Sequence, residues 1–132
     1  MTHILIAEDE PDILTLLQHF FIGHGYQLSL APDGETAITL AQTNPPVLIL
    51  LDIQMPFANG IEVMQQLRTD PIFTNTPIVA ITAYIHNPWD PKDLLALGFD
   101  RVIAKPFEIT DLQTIVSNLL EDPDLHRRIN SH

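Results

Sequence analysis

The chain contains no cysteine, and that one absence excludes disulfide bridges, thiolate zinc sites and cysteine nucleophiles together. Basic residues are scarce too: 6 Lys and Arg face 17 Asp and Glu, for a formal charge of −11. A surface of that sign repels phosphate backbones, so direct nucleic-acid binding by this chain is not expected. Glycine numbers only 5, and neither a Walker loop nor GxGxxG occurs, which disfavours a nucleotide- or flavin-binding module. No stretch approaches ~18 uninterrupted apolar residues, and Met1-Thr2-His3 opens on no basic signal region. What is present is a 45% apolar fraction, enough for one buried core in 132 residues. A single soluble cytoplasmic domain is the expectation, with no membrane partner.

Hydrophobic periodicity alternates regularly along the chain. Ile4 to Ala7 is a short apolar run that ends in Glu8-Asp9-Glu10. Pro11 suits the first turn of a helix, where its missing N–H is no loss. Ile13, Leu16, Leu17, Phe20 and Phe21 follow at helical spacing, until Gly23 and Gly25. Tyr26 to Ala31 reads as a strand with Tyr26, Leu28 and Leu30 on one face. Asp33-Gly34 opens a helix carrying Ala37, Ile38 and Ala41, closed by Asn44-Pro45-Pro46. Val47 to Leu51 is apolar at every position, as a central parallel strand buried on both faces would be, and ends at Asp52. Gly60 to Leu67 predicts a third helix, and Ile78 to Ile81 a strand ending at Thr82. Lys92 to Leu97 is a short helix stopped by Gly98, and Val102 to Ala104 a strand ending at Lys105-Pro106. Thr110 and Gln113 fit a capping box that opens a last helix.

Five strands alternating with five helices imply right-handed crossovers and a doubly wound α/β sheet. Residues 1–121 form the domain in this reading, and 122–132 a polar tail.

Open α/β sheets bind ligands beyond the carboxyl ends of their strands. Glu8 and Asp9, Asp52, Thr82 and Lys105 follow four of the apolar runs and converge there. Taken singly, a strand-end Asp or Thr is most often a cap. Lys105 needs more explanation, because the chain has only two lysines. Together the five make chemical sense. Clustered carboxylates repel unless a cation sits among them, and oxygen-only ligands favour Mg²⁺. A carboxylate can attack phosphorus to give an acyl phosphate, with Lys105 neutralising charge and Thr82 donating to a phosphoryl oxygen. The group reads as a self-phosphorylating aspartate site.

In these residues the sequence resembles the receiver domains of two-component response regulators, of the chemotaxis-receiver kind. The resemblance spans about residues 1–121. It rests on Glu8-Asp9, Asp52-x-x-Met55-Pro56-x-x-x-Gly60, Thr82-Ala83 and Lys105-Pro106-Phe107, in that order and spacing. It implies a flavodoxin-like (βα)5 sheet of strand order 2-1-3-4-5. It implies Asp52 as phosphoacceptor and Thr82 and Lys105 as phosphate contacts. It implies Mg²⁺ held by Glu8, Asp9, Asp52 and the backbone carbonyl of Gln54, and a cis Lys105–Pro106 bond. The implied partners are a sensor histidine kinase or histidine phosphotransfer protein and a downstream protein target. Monomer and phosphorylation-dependent homodimer both remain open. With no further domain after residue 121, output through protein contacts on the face of the fourth helix, fifth strand and fifth helix is expected.

Two departures stand out. The family usually has Tyr or Phe three residues before the lysine, where this chain has Val102. Either the loop after Thr82 moves, or Tyr84 or Trp89 takes over the aromatic role. The positions two after Asp52 and two after Thr82, which tune acyl-phosphate hydrolysis in the family, are Gln54 and Tyr84. A Tyr84 ring shielding the phosphoryl group predicts slow self-dephosphorylation. The rival reading is an aspartyl-phosphate phosphatase of the haloacid dehalogenase kind. That class wants a second acid at Gln54 and its nucleophile after the first strand. The six histidines show no ligand spacing and are read as surface or packing residues.

Overall fold

The computed structural model describes residues 2–54, 59–83 and 90–120. Met55-Pro56, the Tyr84 and Trp89 positions and the 122–132 tail lie outside the described residues. Within them the chain alternates strictly: β1 (His3–Ala7), α1 (Pro11–Gly23), β2 (Gln27–Ala31), α2 (Gly34–Thr43), β3 (Leu48–Asp52), α3 (Gly60–Arg68), β4 (Ile78–Ala83), α4 (Pro91–Leu97), β5 (Arg101–Lys105) and α5 (Ile109–Leu120). All pairings are parallel, in the order β2-β1-β3-β4-β5 that the resemblance implies.

Alternation along the strands splits the core in two. Leu5, Ala7, Ile49 and Leu51 point to one face, where Ala37, Ala41, Val63, Met64, Leu67 and Leu94 cover them from α2, α3 and α4. Ile4, Ile6, Leu48 and Leu50 point to the other, under Leu17, Phe20 and Phe21 of α1 and Leu112 and Val116 of α5. All five β3 residues are buried, which is why that run carries no polar position before Asp52. His3 is buried with Nε2 2.6 Å from Ser29 Oγ, and the His24 ring packs against Phe20 with centroids 4.6 Å apart. Both act in packing.

Three local details differ from the sequence pattern. A 3₁₀ turn at Pro71–Phe73 precedes β4, begun by the Asp70 side chain accepting from the Ile72 N–H. Val47 lies outside β3 and is half exposed; it is the core-facing demand of the sheet, not apolarity alone, that bounds the strand. Thr110 does not cap α5. The helix starts at Ile109, two residues before such a cap would start it, because Ile109 packs on the core, and the Glu108 carbonyl accepts the first bonds, from Asp111 and Leu112.

No helix among the described residues is long and apolar enough to cross a membrane.

Candidate functional site

In a parallel sheet every strand ends at the same side, so β1, β3, β4 and β5 bring their carboxyl-terminal residues, and Glu8 just past β1, to one rim. Register makes this concrete: Ala7 pairs with Leu51, Asp52 with Ile81, Thr82 with Ala104 and Ala83 with Lys105. Glu8, Asp52, Thr82 and Lys105, four of the five side chains expected to meet, therefore gather at one end of the molecule.

Lys105 is the centre of the group. Its Nζ donates to Glu8 Oε1 at 2.9 Å, Asp52 Oδ2 at 2.9 Å and Glu10 Oε1 at 2.8 Å. The three carboxylates are unequal in their access to water. Glu8 is completely buried and the Asp52 side chain is 4% exposed, whereas Glu10 is 58% exposed. The second Asp52 oxygen, Oδ1, accepts from the Gln54 N–H at 2.9 Å. Glu8 Oε1 also accepts from the Glu10 N–H at 3.0 Å, while Oε2 is buried without a hydrogen-bond partner among the described residues.

One cation for three carboxylates leaves an excess of negative charge. Ligand oxygens of Glu8, Glu10 and Asp52 lie within 4.8 Å of one another. At that separation and an effective dielectric of about 20, two unit charges repel by roughly 3 kcal/mol. The Glu8 carboxyl is accordingly pushed up to about 7: burial raises it, the Lys105 bond opposes, and Asp52 repulsion adds to the rise. Burial opposes the Lys105 charge, but bonds to Glu10, Glu8 and Asp52 outweigh it and hold the ammonium above the ordinary lysine range. A buried carboxylate oxygen with no donor, inside a cluster of acids, is the chemistry of a hard divalent cation site.

Thr82 is buried at the end of β4, with Oγ1 3.5 Å from the Ala83 carbonyl. Asp9 is exposed and stands outside the Glu8–Glu10–Asp52 group, although it adjoins Glu8 in sequence. The Gln54 side chain is exposed; its contribution here is the backbone N–H already named. Val102, in the family's aromatic position, is half-buried and packs against the core cluster beneath α3 and α4. The Lys105–Pro106 bond is cis.

Two participants escaped the sequence pattern. Glu10 is the third acid of the run before Pro11, and its place in that run was the one available signal. Gly60 stood in the motif without a role. A Cβ on it would lie 2.5 Å from the Asp52 carbonyl oxygen, so α3 reaches the phosphoacceptor candidate's backbone only through glycine.

Comparison with known proteins agrees with this fold. The family model described as response regulator receiver domain matches residues 4–117. The alkaline phosphatase synthesis transcriptional regulatory protein PhoP of Bacillus subtilis is 37% identical over 122 residues, 92% of this chain and 50% of its own length. The response regulator SaeR of Staphylococcus aureus is 32% identical over 120 residues, 91% of this chain and 51% of its own. The chain thus spans about half the length of the curated relatives it matches. Among solved structures, a putative response regulator from Chloroflexus aurantiacus superposes with a TM-score of 0.84 at 27% identity, covering 91% of this chain and 98% of that one. The receiver domain of a Pseudomonas aeruginosa sensor histidine kinase, solved with a magnesium ion coordinated in its active-site cleft, gives 0.82 at 28% identity, covering 92% and 98%.

Proposed function

The chain belongs to the response regulator receiver domain family, and from that premise we propose that Asp52 is its phosphoacceptor. Membership makes it a signalling module of two-component systems, a class that interacts with histidine kinases, and displaces the haloacid dehalogenase-like alternative. The observation that carries the Asp52 assignment is its place. It is a buried carboxylate on the sheet rim, held at Oδ1 by the Gln54 N–H and at Oδ2 by Lys105.

In the reaction we infer, an Asp52 carboxylate oxygen attacks the phosphorus of a phosphohistidine on a kinase or phosphotransfer protein. The O–P bond forms, the P–N bond breaks, and the departing imidazole keeps the electron pair and takes up a proton. Lys105 is already within bonding distance of Asp52 and turns to the new phosphoryl oxygens, offsetting the added charge. Thr82, on the same rim one residue past the Asp52-paired Ile81, is the hydroxyl we assign as a donor to the same group. Mg²⁺, which Glu8, Asp9, Asp52 and the Gln54 carbonyl would hold, supplies charge neutralisation at the transferring phosphoryl group. The unpartnered Glu8 Oε2 supports its binding here.

Beyond the reaction, we assign residues 1–121 to the receiver and 122–132 to a polar tail, in a cytoplasmic protein. Phosphorylation alters protein contacts on the α4–β5–α5 face, and self-dephosphorylation is slow. Incubation with Mg²⁺ and acetyl phosphate tests the central assignment. One phosphoprotein of single added phosphoryl mass is expected, and none from Asp52→Asn. Continuous release of phosphate without an accumulating phosphoprotein would overturn it.

A further inference from the structure

We propose that Glu10 is a positioning residue for phosphoryl transfer. It anchors the Lys105 ammonium while Asp52 is unmodified and yields it to the phosphoryl group. The inference rests on Asp52 being the phosphoacceptor.

An ammonium has three N–H donors, and Lys105 has three carboxylate acceptors at 2.8–2.9 Å. A bond from Nζ to a phosphoryl oxygen therefore requires one of the three to open. Glu8 is a poor choice: it is wholly buried, and Oε2 already lacks a donor, so losing Lys105 would leave the whole carboxylate, away from water, with the Glu10 N–H at Oε1 as its one remaining donor among the described residues. Asp52 is the group being modified. Glu10 remains, and at 58% exposure water replaces the lost donor at its carboxylate. The bond to Glu10 is the one that opens.

A second observation shows that Glu10 is not spent elsewhere. It occupies the N-cap of α1, directly before Pro11, a position where a side-chain oxygen ordinarily accepts from the helix's first N–H groups. Glu10 makes no such bond. Its carboxylate reaches across the rim to a residue 95 positions away instead.

Its exposure also places a negative charge where a phosphodonor dianion must enter. Removing that charge therefore acts twice in the same direction, freeing one Lys105 donor and lowering repulsion of the incoming anion. Acetyl phosphate is the probe. The Asp52 oxygen forms a bond to phosphorus, the P–O bond to the acetyl group breaks, and acetate leaves with the electron pair.

At low ionic strength, with Mg²⁺ saturating for each protein, Glu10→Gln is expected to raise the second-order rate constant by about three- to tenfold. Added potassium chloride should narrow the gap, because the Debye length shrinks to about 3 Å at molar salt. A purely structural effect of the substitution would not respond in that way. In the unmodified, Mg²⁺-free protein, Glu10→Gln should also shift the Lys105 Nζ resonance and speed its hydrogen exchange. A wild-type protein that is labelled on Asp52 while Glu10→Gln reacts no faster, or gains a rate advantage indifferent to salt, overturns the Glu10 role alone. An unchanged Nζ resonance does the same. Failure to label the wild type, or labelling that persists in Asp52→Asn, overturns the phosphoacceptor reading and this inference with it.

Discussion

Gly60, the first residue of α3, lies so close to Asp52 that a Cβ on it would stand 2.5 Å from the Asp52 carbonyl oxygen and 3.1 Å from the carbonyl carbon. Its N–H donates to the Ile53 carbonyl at 3.0 Å, fixing the same stretch of backbone from the other side. Helix α3 is thus seated directly on the peptide that carries the phosphoacceptor candidate. Because the clash is with backbone, no rotamer change relieves it. Gly60→Ala is expected to destabilise the fold by about 1–3 kcal/mol, as overpacking generally does. It should also slow labelling of Asp52 out of proportion to that loss. Urea denaturation and acetyl phosphate labelling under folding conditions measure the two effects separately.

The excess of acid at the rim predicts a stability that responds to divalent cations. A cation that binds the folded state alone, at about ten times its dissociation constant, adds roughly 1.4 kcal/mol. Millimolar Mg²⁺ should therefore raise the melting temperature over that in EDTA. Glu8→Gln, which removes a charge at the buried carboxyl with the unpartnered oxygen, should abolish most of the rise. Superimposable melting curves with and without Mg²⁺ would count against the cation site.

At the opposite end of β4, Arg68 holds three segments together. Its Nη1 donates to the carbonyls of Phe73 at 2.7 Å and Thr76 at 2.8 Å, and its Nη2 to Asp100 Oδ2 at 2.8 Å. Asp100 Oδ2 in turn accepts from the Ile78 N–H at 2.8 Å, where β4 begins. Arg68→Met should lower stability by about 2 kcal/mol, a figure reduced for the partial exposure of the pair. Arg68→Lys should recover only part of it, since a single ammonium cannot span the fork of acceptors. The Mg²⁺ response should persist in both variants, because this cluster sits at the far end of the sheet.

Helix α2 provides a pH-dependent contribution of defined sign. The Asp33 side chain accepts from the Thr36 N–H at 2.8 Å, and this backbone bond, foremost, holds its carboxyl below the ordinary range. A depressed carboxyl stabilises the folded state above its unfolded value near ~4 and loses that contribution as pH falls through the lower folded value. Asp33→Asn keeps an acceptor at the cap and removes the titration. Its stability loss between about pH 5 and about pH 3 should be shallower than wild type, whereas Asp33→Ala should be weaker throughout. Denaturation midpoints across that range decide it.

Much of the fold and of the site is legible in the order of the residues. The unbroken apolar run before Asp52 specifies a strand covered on both sides, and strict alternation with helical segments specifies a parallel sheet. A parallel sheet brings its strand ends to one rim, so residues as distant as Glu8, Asp52 and Lys105 are grouped by their positions after apolar runs. Capping is less legible. Asn59 caps α3 through Glu62 and Asp90 caps α4 through Lys92, yet Thr110, with equally suitable chemistry, is inside its helix because Ile109 is drawn into the core. A local pattern offers a cap; packing decides whether it is used.

The sequence by itself therefore determined the architecture and the edge at which the chemistry sits, since both follow from short-range periodicity and the geometry of parallel strands. Only the tertiary structure decided how the acids divide their labour. Lys105 meets Glu8 and Glu10 across 97 and 95 residues of chain, and Asp52 across 53. Which acid loses all water, which keeps it, and which peptide a glycine must accommodate depend on separations of a few ångströms between distant segments. Burial at those separations sets the dielectric around each charge, and a one-dimensional pattern does not carry it.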